Sequence, residues 1–306
     1  MATLSKMDLI KRIMIGEMLI NPKAKESIQK CLLTAGKGAD EIEKDFTDYF
    51  NTVSSDVSIQ NQRKNIIKDY VEKNFLPNKI SDIKNKIKKE FKEQFGDDFA
   101  QIGEDIPAPI LIDCLNVNAL KSANLDLTLG NEVYVTTEKV PTKLNTLGKD
   151  GVVSVEPGEF GILMTREYLF VPWDLMGYIS IRLSHKQKGI VNISGFHVDP
   201  GYYGRLMFAI FNAGPNNVPL RYNDAVFMIM FNELTNIPPD AKAIHRGRWH
   251  GMENIPVETL SGLTGTSVSV RSLDQRIKRL EMIFPVLASG IASVVIGVIV
   301  WILTHR

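Results

Sequence analysis

The spacing of apolar residues changes character three times along the chain. In Asp8–Ile20 the apolar positions recur at helical steps, which predicts a helix that Asn21-Pro22 stops. The same period continues through Ile42, Phe46 and Phe50, and through Ile66, Ile67, Tyr70, Val71 and Phe75. It runs on through Ile83, Ile87, Phe91 and Phe95, so residues 1–105 read as a charged helical module, with Gly103 to Pro109 as a linker. From Val153 to Leu234 the runs become short and rich in Val, Ile, Phe and Met. Pro-Gly, Asn-Asp and Asn-Ala-Gly turns interrupt them about every 8–12 positions, which is the pattern of an all-β barrel or sandwich.

A third pattern closes the chain. Val270, Leu273, Ile277, Leu280, Phe284 and Leu287 alternate at three and four residues, an a/d seam that predicts a short coiled coil over 267–281. Residues 282–303 then carry no charge. About 20 such residues at ~1.5 Å each match the ~30 Å hydrocarbon core of a bilayer, so the stretch reads as a membrane-spanning helix. Lys278 and Arg279 flank one end and Trp301 stands near the other. Ser289, Ser293 and Gly297 form a small-xxx-small ladder suited to close helix packing. With three residues beyond it, the span reads as a C-terminal tail anchor that leaves the bulk of the chain in the cytosol.

At 306 residues the prior is about two domains. The net charge of +1 gives no reason to expect a nucleic-acid surface. The lysines of 79–92 are diluted by Glu90, Glu93, Asp97 and Asp98 and read as a solvated helix face. Two distant cysteines, Cys31 and Cys114, fit a reduced compartment. Asp8, Lys11 and Arg12 interrupt any apolar run of the kind a signal peptide needs. The five histidines have no metal-ligand spacing with either cysteine, so no protein metal site is expected. Neither a P-loop nor a Gly-x-Ser-x-Gly elbow occurs.

An ordered set of short motifs runs through Lys121–Leu234: Ser122-Ala-Asn-Leu-Asp126-Leu-Thr-Leu-Gly130, Pro157-Gly-Glu, Thr165-x-Glu167, Val171-Pro and Gly177. Arg182-x-Ser184, Asp199-Pro-Gly201-x-x-Gly204 and Asn212-x-Gly214 complete it. This set resembles the trimeric dCTP deaminase/dUTPase superfamily. The resemblance implies an α+β fold: a mainly-β, dUTPase-like distorted barrel or jelly roll, here with an N-terminal helical module and a C-terminal transmembrane helix. It implies a homotrimer whose site lies between subunits and takes a pyrimidine deoxynucleoside triphosphate with Mg2+. The opening helix and its Ile-Asn-Pro also resemble the deaminase N-terminus, which makes 24–105 an insertion and 106–240 the β domain. Arg276-Ile277-Lys-Arg-Leu280-Glu281 resembles a motif of three-stranded parallel coiled coils.

Carried over residue by residue, the family site is altered. Arg182 and Ser184 match the phosphate-binding arginine and second serine, and a guanidinium fork suits phosphate oxygens. Leu183 replaces the intervening serine, and Gln187 the usual second arginine. Asp126 is the buried-looking aspartate of the first motif. Asp199 matches the aspartate that orients or deprotonates the attacking water, although Asp-Pro-Gly also makes an ordinary turn. Ala209 stands where the deaminases carry their proton-shuttling glutamate, and Asn223 and Met228 stand where the base-binding strand usually has Gly and Gln. Residues 241–266 resemble the C-terminal arm that closes over triphosphate, with Arg246, Arg248 and Trp249 as contacts. The alternative is a loop that packs Trp249 on the barrel.

Three functions remain open. The first is a membrane-anchored protein that binds a dCTP- or dUTP-type nucleotide at a degenerate site, with a sensing or effector role. The second is an active enzyme that deaminates or diphosphohydrolyses dCTP or dUTP. The third is a trimeric membrane scaffold that binds no nucleotide.

Overall fold

A computed structural model describes residues 2–55, 57–76, 78–99, 106–136, 142–143, 151–237, 250–261 and 270–304. Helix α1 spans Lys6–Ile20. Ser5 caps it reciprocally: its hydroxyl accepts from the Asp8 amide at 3.2 Å, and the Asp8 carboxylate accepts from the Ser5 amide at 3.0 Å. Asn21 ends it, as the sequence pattern predicts. Helices α2 (Lys25–Leu32), α3 (Ala39–Ser55), α4 (Val57–Tyr70) and α5 (Ile80–Phe95) follow, with one π-turn at Val71–Phe75 between the last two. The inward residues of these helices are the periodic ones: Ile42, Phe46, Phe50, Val71, Phe75, Ile83, Ile87, Phe91 and Phe95 are all buried.

The β region begins with β1 (Leu111–Ile112), β2 (Leu125–Val135), β3 (Thr142–Lys143), β4 (Val152–Val155) and β5 (Phe160–Phe170). It continues with β6 (Leu175–Ile181), the single helical turn α6 (Leu183–Lys186), β7 (Ile190–Asn192) and β8 (His197–Val198). Strands β9 (Tyr203–Asn212), β10 (Val218–Arg221) and β11 (Ala225–Glu233) complete it. One antiparallel sheet runs β7-β9-β5-β2-β11-β6-β8, with β1 added to β5 and β3 to β2, while β10 pairs with β4 separately. Register shifts in β2, β5 and β11 mark bulges, which bend strands and curl the sheet into a half-barrel. This is the α+β, mainly-β architecture with helices at both ends of the chain.

The helical region and the sheet share one apolar core. Phe75 stacks on Phe170 at 4.6 Å between centroids and lies 5.4 Å from Trp173, while Phe208 and Phe227 stack at 4.2 Å inside the sheet. Burying a side chain of this size stabilises by about 1.5–3 kcal/mol. Gly16 lets α1 approach β1: a Cβ there would stand 2.3 Å from the Ile110 carbonyl oxygen. Of the stretch that reads as linker, residues 103–105 lie outside the described residues, and residues 106–109 are instead packed together with Ile110. Ala108 and Ile110 are buried, the Ile110 amide donates to the Arg12 carbonyl, and the Arg12 guanidinium donates to the Ala108 carbonyl at 3.0 Å. Arg12 also meets Asp174 at 2.8 Å and Glu233 at 3.0 Å, so it ties α1 to the end of the β6/β11 pair at which Glu233 lies opposite Leu175.

After the sheet, residues 250–261, with α7 at Val257–Ser261, return to it. Ile255 and Leu260 pack on Tyr134, Ile162 and Met164. Helix α8 (Val270–Thr304) then runs unbroken through residues 270–281 of the predicted seam and through the apolar stretch, with Pro285 inside it, while residues 267–269 of the seam lie outside the described residues. Residues 276–304 form a helix long and apolar enough to cross a membrane, and none of it is buried.

Candidate functional site

Arg182 directly follows β6 and caps α6. Its amide donates to the Val226 carbonyl at 2.9 Å, and its Nη1 donates to the Ala225 carbonyl at 3.2 Å, so β11 holds both its backbone and its side chain. Its Nε lies 3.3 Å from Oδ2 of Asp126. Asp126 is buried on β2, and Asn124 donates to its other oxygen at 3.1 Å. The Arg182 side chain keeps 37% of its surface exposed, so part of the fork remains open to a ligand. Ser184 is one residue into the α6 turn, with its Oγ 3.3 Å from Nδ1 of His185. Burial lowers the His185 pKa, and Lys188 and Arg182 lower it further. Leu183, between Arg182 and Ser184, is exposed.

Asp199 lies at the other end of the same strand pair. Strand β8 meets the start of β6, with Gly177 opposite Val198 and Tyr178 opposite His197. Arg182 stands five residues beyond Gly177, about 17 Å away at ~3.3 Å per residue. Within one chain, therefore, Arg182, Asp126 and Ser184 form one group and Asp199 belongs to another.

Asp199 borders a cavity of about 200 Å3. Ile179, Tyr202 and Met207 give it apolar walls, and Asp199, His197 and His250 give it polar ones. His197 Nε2 is 3.5 Å from Asp199 Oδ1, and the Asp199 carboxylate is 62% exposed. The cavity is smaller than the ~300–1,000 Å3 of drug-sized pockets, so it admits part of a nucleotide.

Sequence reasoning did not place His250 in this group. It arrives because residues 250–252 lie along β9: the Gly251 amide donates to the Tyr203 carbonyl at 2.7 Å, and the Arg205 amide to the Met252 carbonyl at 2.8 Å. Gly251 has φ +72°, and a Cβ there would press the Tyr203 ring at 3.2 Å. The imidazole lies 5.7 Å from the Tyr202 ring and 6.0 Å from that of Tyr203, nearly parallel to the latter. Burial lowers the His250 pKa, against the opposing charge of Asp199. No periodicity or motif could have flagged it, because a long-range backbone pairing brings it there. Arg246, Arg248 and Trp249 lie outside the described residues.

Ala209 sits in β9 opposite Ile162. Its strand neighbours on the same face are Met207 and Phe211, so β9 offers no carboxyl or imidazole for proton transfer at that point. Glu167 and Asp113 are buried carboxylates that bond to the backbone of the sheet. Glu167 accepts from the Thr128 amide at 2.9 Å and from its hydroxyl at 2.6 Å, and Asp113 accepts from the Tyr168 amide at 2.5 Å. Burial pushes Glu167 up to about 7 and Asp113 up to about 6. Among the described residues, no group of three or more His, Cys, Asp and Glu side chains is placed to hold a metal ion.

Comparison with known proteins gives a consistent picture. Residues 100–234 match the family described as dCTP deaminase-like. The chain is 32% identical over 146 residues to the dCTP deaminase of Pyrococcus abyssi, which covers 48% of this chain and 89% of the relative. It is 33% identical over 149 residues to a dUMP-forming dCTP deaminase of Methanopyrus kandleri, covering 44% and 77% respectively. Among solved structures, the 2'-deoxycytidine 5'-triphosphate deaminase of Agrobacterium tumefaciens aligns at 20% identity with a TM-score of 0.33. That alignment covers 39% of this chain and 41% of the other.

Proposed function

The chain belongs to the dCTP deaminase family, and from that premise we propose that it is a membrane-anchored binder of a pyrimidine deoxynucleoside triphosphate that lacks the family's deamination. One observation carries this reading: Ala209, which the family resemblance sets at the position of the deaminating glutamate, has Met207 and Phe211 as its neighbours on that face of β9 and no carboxyl or imidazole, while the Arg182–Asp126 pair is present. Deamination of cytosine needs a group that accepts a proton from water and returns one to the leaving amine, and a methyl side chain can do neither. Phosphate binding needs only a fixed, partly exposed guanidinium, which Arg182 supplies.

In this reading the site forms between copies of the chain. The Arg182 group of one copy faces the Asp199 cavity of another, which the ~17 Å separation within one chain favours. Leu183, Val191, Ile193 and Phe196 expose apolar surface around the short edge strands, as an interface between copies requires. Magnesium would arrive with the triphosphate, as the family resemblance implies. Helix α8 tethers the assembly to the membrane, and the trimeric seam over 267–281 and the arm over 241–266 belong to the same proposal.

A second reading is hydrolysis of the triphosphate, favoured by His197 beside Asp199. There, water passes a proton to that pair, attacks the α-phosphorus and expels pyrophosphate. The test uses the full chain in detergent with magnesium and each of dCTP, dUTP, CTP and UTP, following thermal shift, ammonia release and pyrophosphate release. A shift without either product supports a binder. Pyrophosphate release replaces the first reading with the second, and ammonia release overturns both. No shift and no product leaves a trimeric scaffold.

A further inference from the structure

The strap at 250–256 has two faces with different partners. On one side His250 and Met252 line the Asp199 cavity. On the other, the carboxylate of Glu253 is gripped by two lysines of α4: Lys64 Nζ at 2.6 Å and Lys68 Nζ at 3.0 Å. Glu253 stands one residue from Met252 and three from His250, so any movement of the grip reaches the cavity wall. Beyond it the strap is pinned again, by the Ile255 amide donating to Glu132 at 2.7 Å and by the apolar contacts of Ile255 and Leu260. The two lysines hold Glu253 below its ordinary pKa, and the paired charge raises that of Lys68.

A second path joins the same two places. The Tyr203 hydroxyl lies 3.3 Å from Glu72, in the turn that follows α4, and the Tyr203 ring faces the His250 imidazole. Both paths therefore run from the helical region to the strap side of the cavity. Neither lysine touches the cavity itself, and neither is needed to bury the core, since both side chains remain about a third exposed.

We propose that Lys64 and Lys68 are positioning residues of the Asp199 cavity: α4 sets where His250 and Met252 stand, so the helical region controls how tightly the cavity holds its ligand. The ligand class rests on the nucleotide reading above. The control itself rests on the clasp.

The experiment uses the full chain in detergent with two readouts. The first is the rate at which diethylpyrocarbonate modifies His250, read by peptide mass spectrometry relative to His185. The second is the dissociation constant for magnesium-dCTP and magnesium-dUTP. In Glu253→Gln and in Lys64→Ala/Lys68→Ala, His250 modification should change and nucleotide binding should weaken by about five-fold, the scale of two half-exposed ion pairs. The charge swap Lys64→Glu/Lys68→Glu/Glu253→Lys should restore both, which loss of fold would not. Unchanged His250 modification overturns the proposal whether or not nucleotides bind. Changed modification with unchanged nucleotide affinity overturns the control of ligand binding. Changed modification in the variants, with a wild-type protein that binds no nucleotide, sinks the nucleotide reading and leaves the clasp standing.

Discussion

Glu17 of α1 and Arg63 of α4 form a two-pronged ion pair inside the protein. Arg63 Nη1 donates to Glu17 Oε2 at 2.9 Å, and Nη2 donates to Oε1. The Tyr49 hydroxyl of α3 adds a third donor at 2.7 Å, and Arg63 also donates to the Ile112 carbonyl of β1 at 3.0 Å. Both charged side chains are almost fully buried. Burying two charges costs desolvation that their attraction roughly offsets, but burying one alone is far more costly. Arg63→Met should therefore cost about 3–5 kcal/mol of stability in denaturant unfolding. The double variant Glu17→Met/Arg63→Met should recover most of that loss. A single variant that costs under about 1 kcal/mol would remove this pair from the account of how α1, α3 and α4 are joined.

The sequence pattern identified most inward positions of the helices because apolar side chains must be buried somewhere: Phe46, Phe50, Phe91 and Phe95 are, whereas Ile66, named with Ile67 in the same pattern, is exposed while Ile67 is buried. It could not identify Glu17, Arg63 or Tyr49 as interior residues, since polar side chains at helical positions usually face water. Their burial follows from mutual satisfaction that only the tertiary arrangement creates. Residues 106–109 misled for a related reason: their composition is that of a linker, yet Arg12 and α1 draw them toward the core with Ile110. The site was legible where a motif fixes it locally, as with Asp126 reading as buried. It was illegible where partners come from distant backbone pairing, as with His250.

The buried carboxyls set a pH dependence. Burial is the main cause of the raised pKa values of Glu167, about 7, and Asp113, about 6, and the charge of Asp113 raises Glu167 further. Unfolded carboxyls titrate near 4. Their folded forms prefer the proton, so their contribution to stability is complete below about pH 4 and is lost as pH rises through 6 and 7. The slope of unfolding free energy against pH should be negative in that window. Glu167→Gln, neutral throughout, should flatten it. An unchanged slope in that variant would show that Glu167 is ionised throughout the window in the folded protein.

Asp126 should matter to ligand binding through Arg182. Its buried oxygen stands 3.3 Å from Nε and leaves the terminal nitrogens for phosphate or the Ala225 carbonyl. Asp126→Asn keeps the shape and an acceptor but removes the counter-charge that orients the guanidinium. It should weaken nucleotide binding by about ten-fold, whereas Arg182→Ala should weaken it by about a hundred-fold or more, since hydrogen bonds to charged groups contribute about 1.5–3 kcal/mol each. Asp199→Asn should leave affinity nearly unchanged and abolish any pyrophosphate release. Equal losses from all three substitutions would instead indicate a general disturbance of the barrel. Titration calorimetry on each purified variant separates these cases.

The last prediction concerns α8. From Met282 to Leu303 its side chains are uncharged and face away from the rest of the protein. In water such a surface is strongly unfavourable, at roughly 25 cal/mol per Å2 of exposed apolar area. Within a bilayer, the backbone groups from Arg276 onward can be satisfied inside the helix except for the carbonyls of its last turn, at the far interface, and near Pro285, which has no N–H to give to the Glu281 carbonyl. That carbonyl lies next to the last charged residues, where headgroup water can reach it, so the proline is tolerated at the boundary and not at the centre. Full-length protein reconstituted with liposomes should float with them in a density gradient, and protein lacking residues 282–306 should stay at the bottom. Ile291→Arg, near the middle of the span, should reduce flotation without abolishing it, because one central arginine costs only about 2.5–3.5 kcal/mol against a long apolar helix. Flotation that survives the deletion would place the membrane contact elsewhere on the chain.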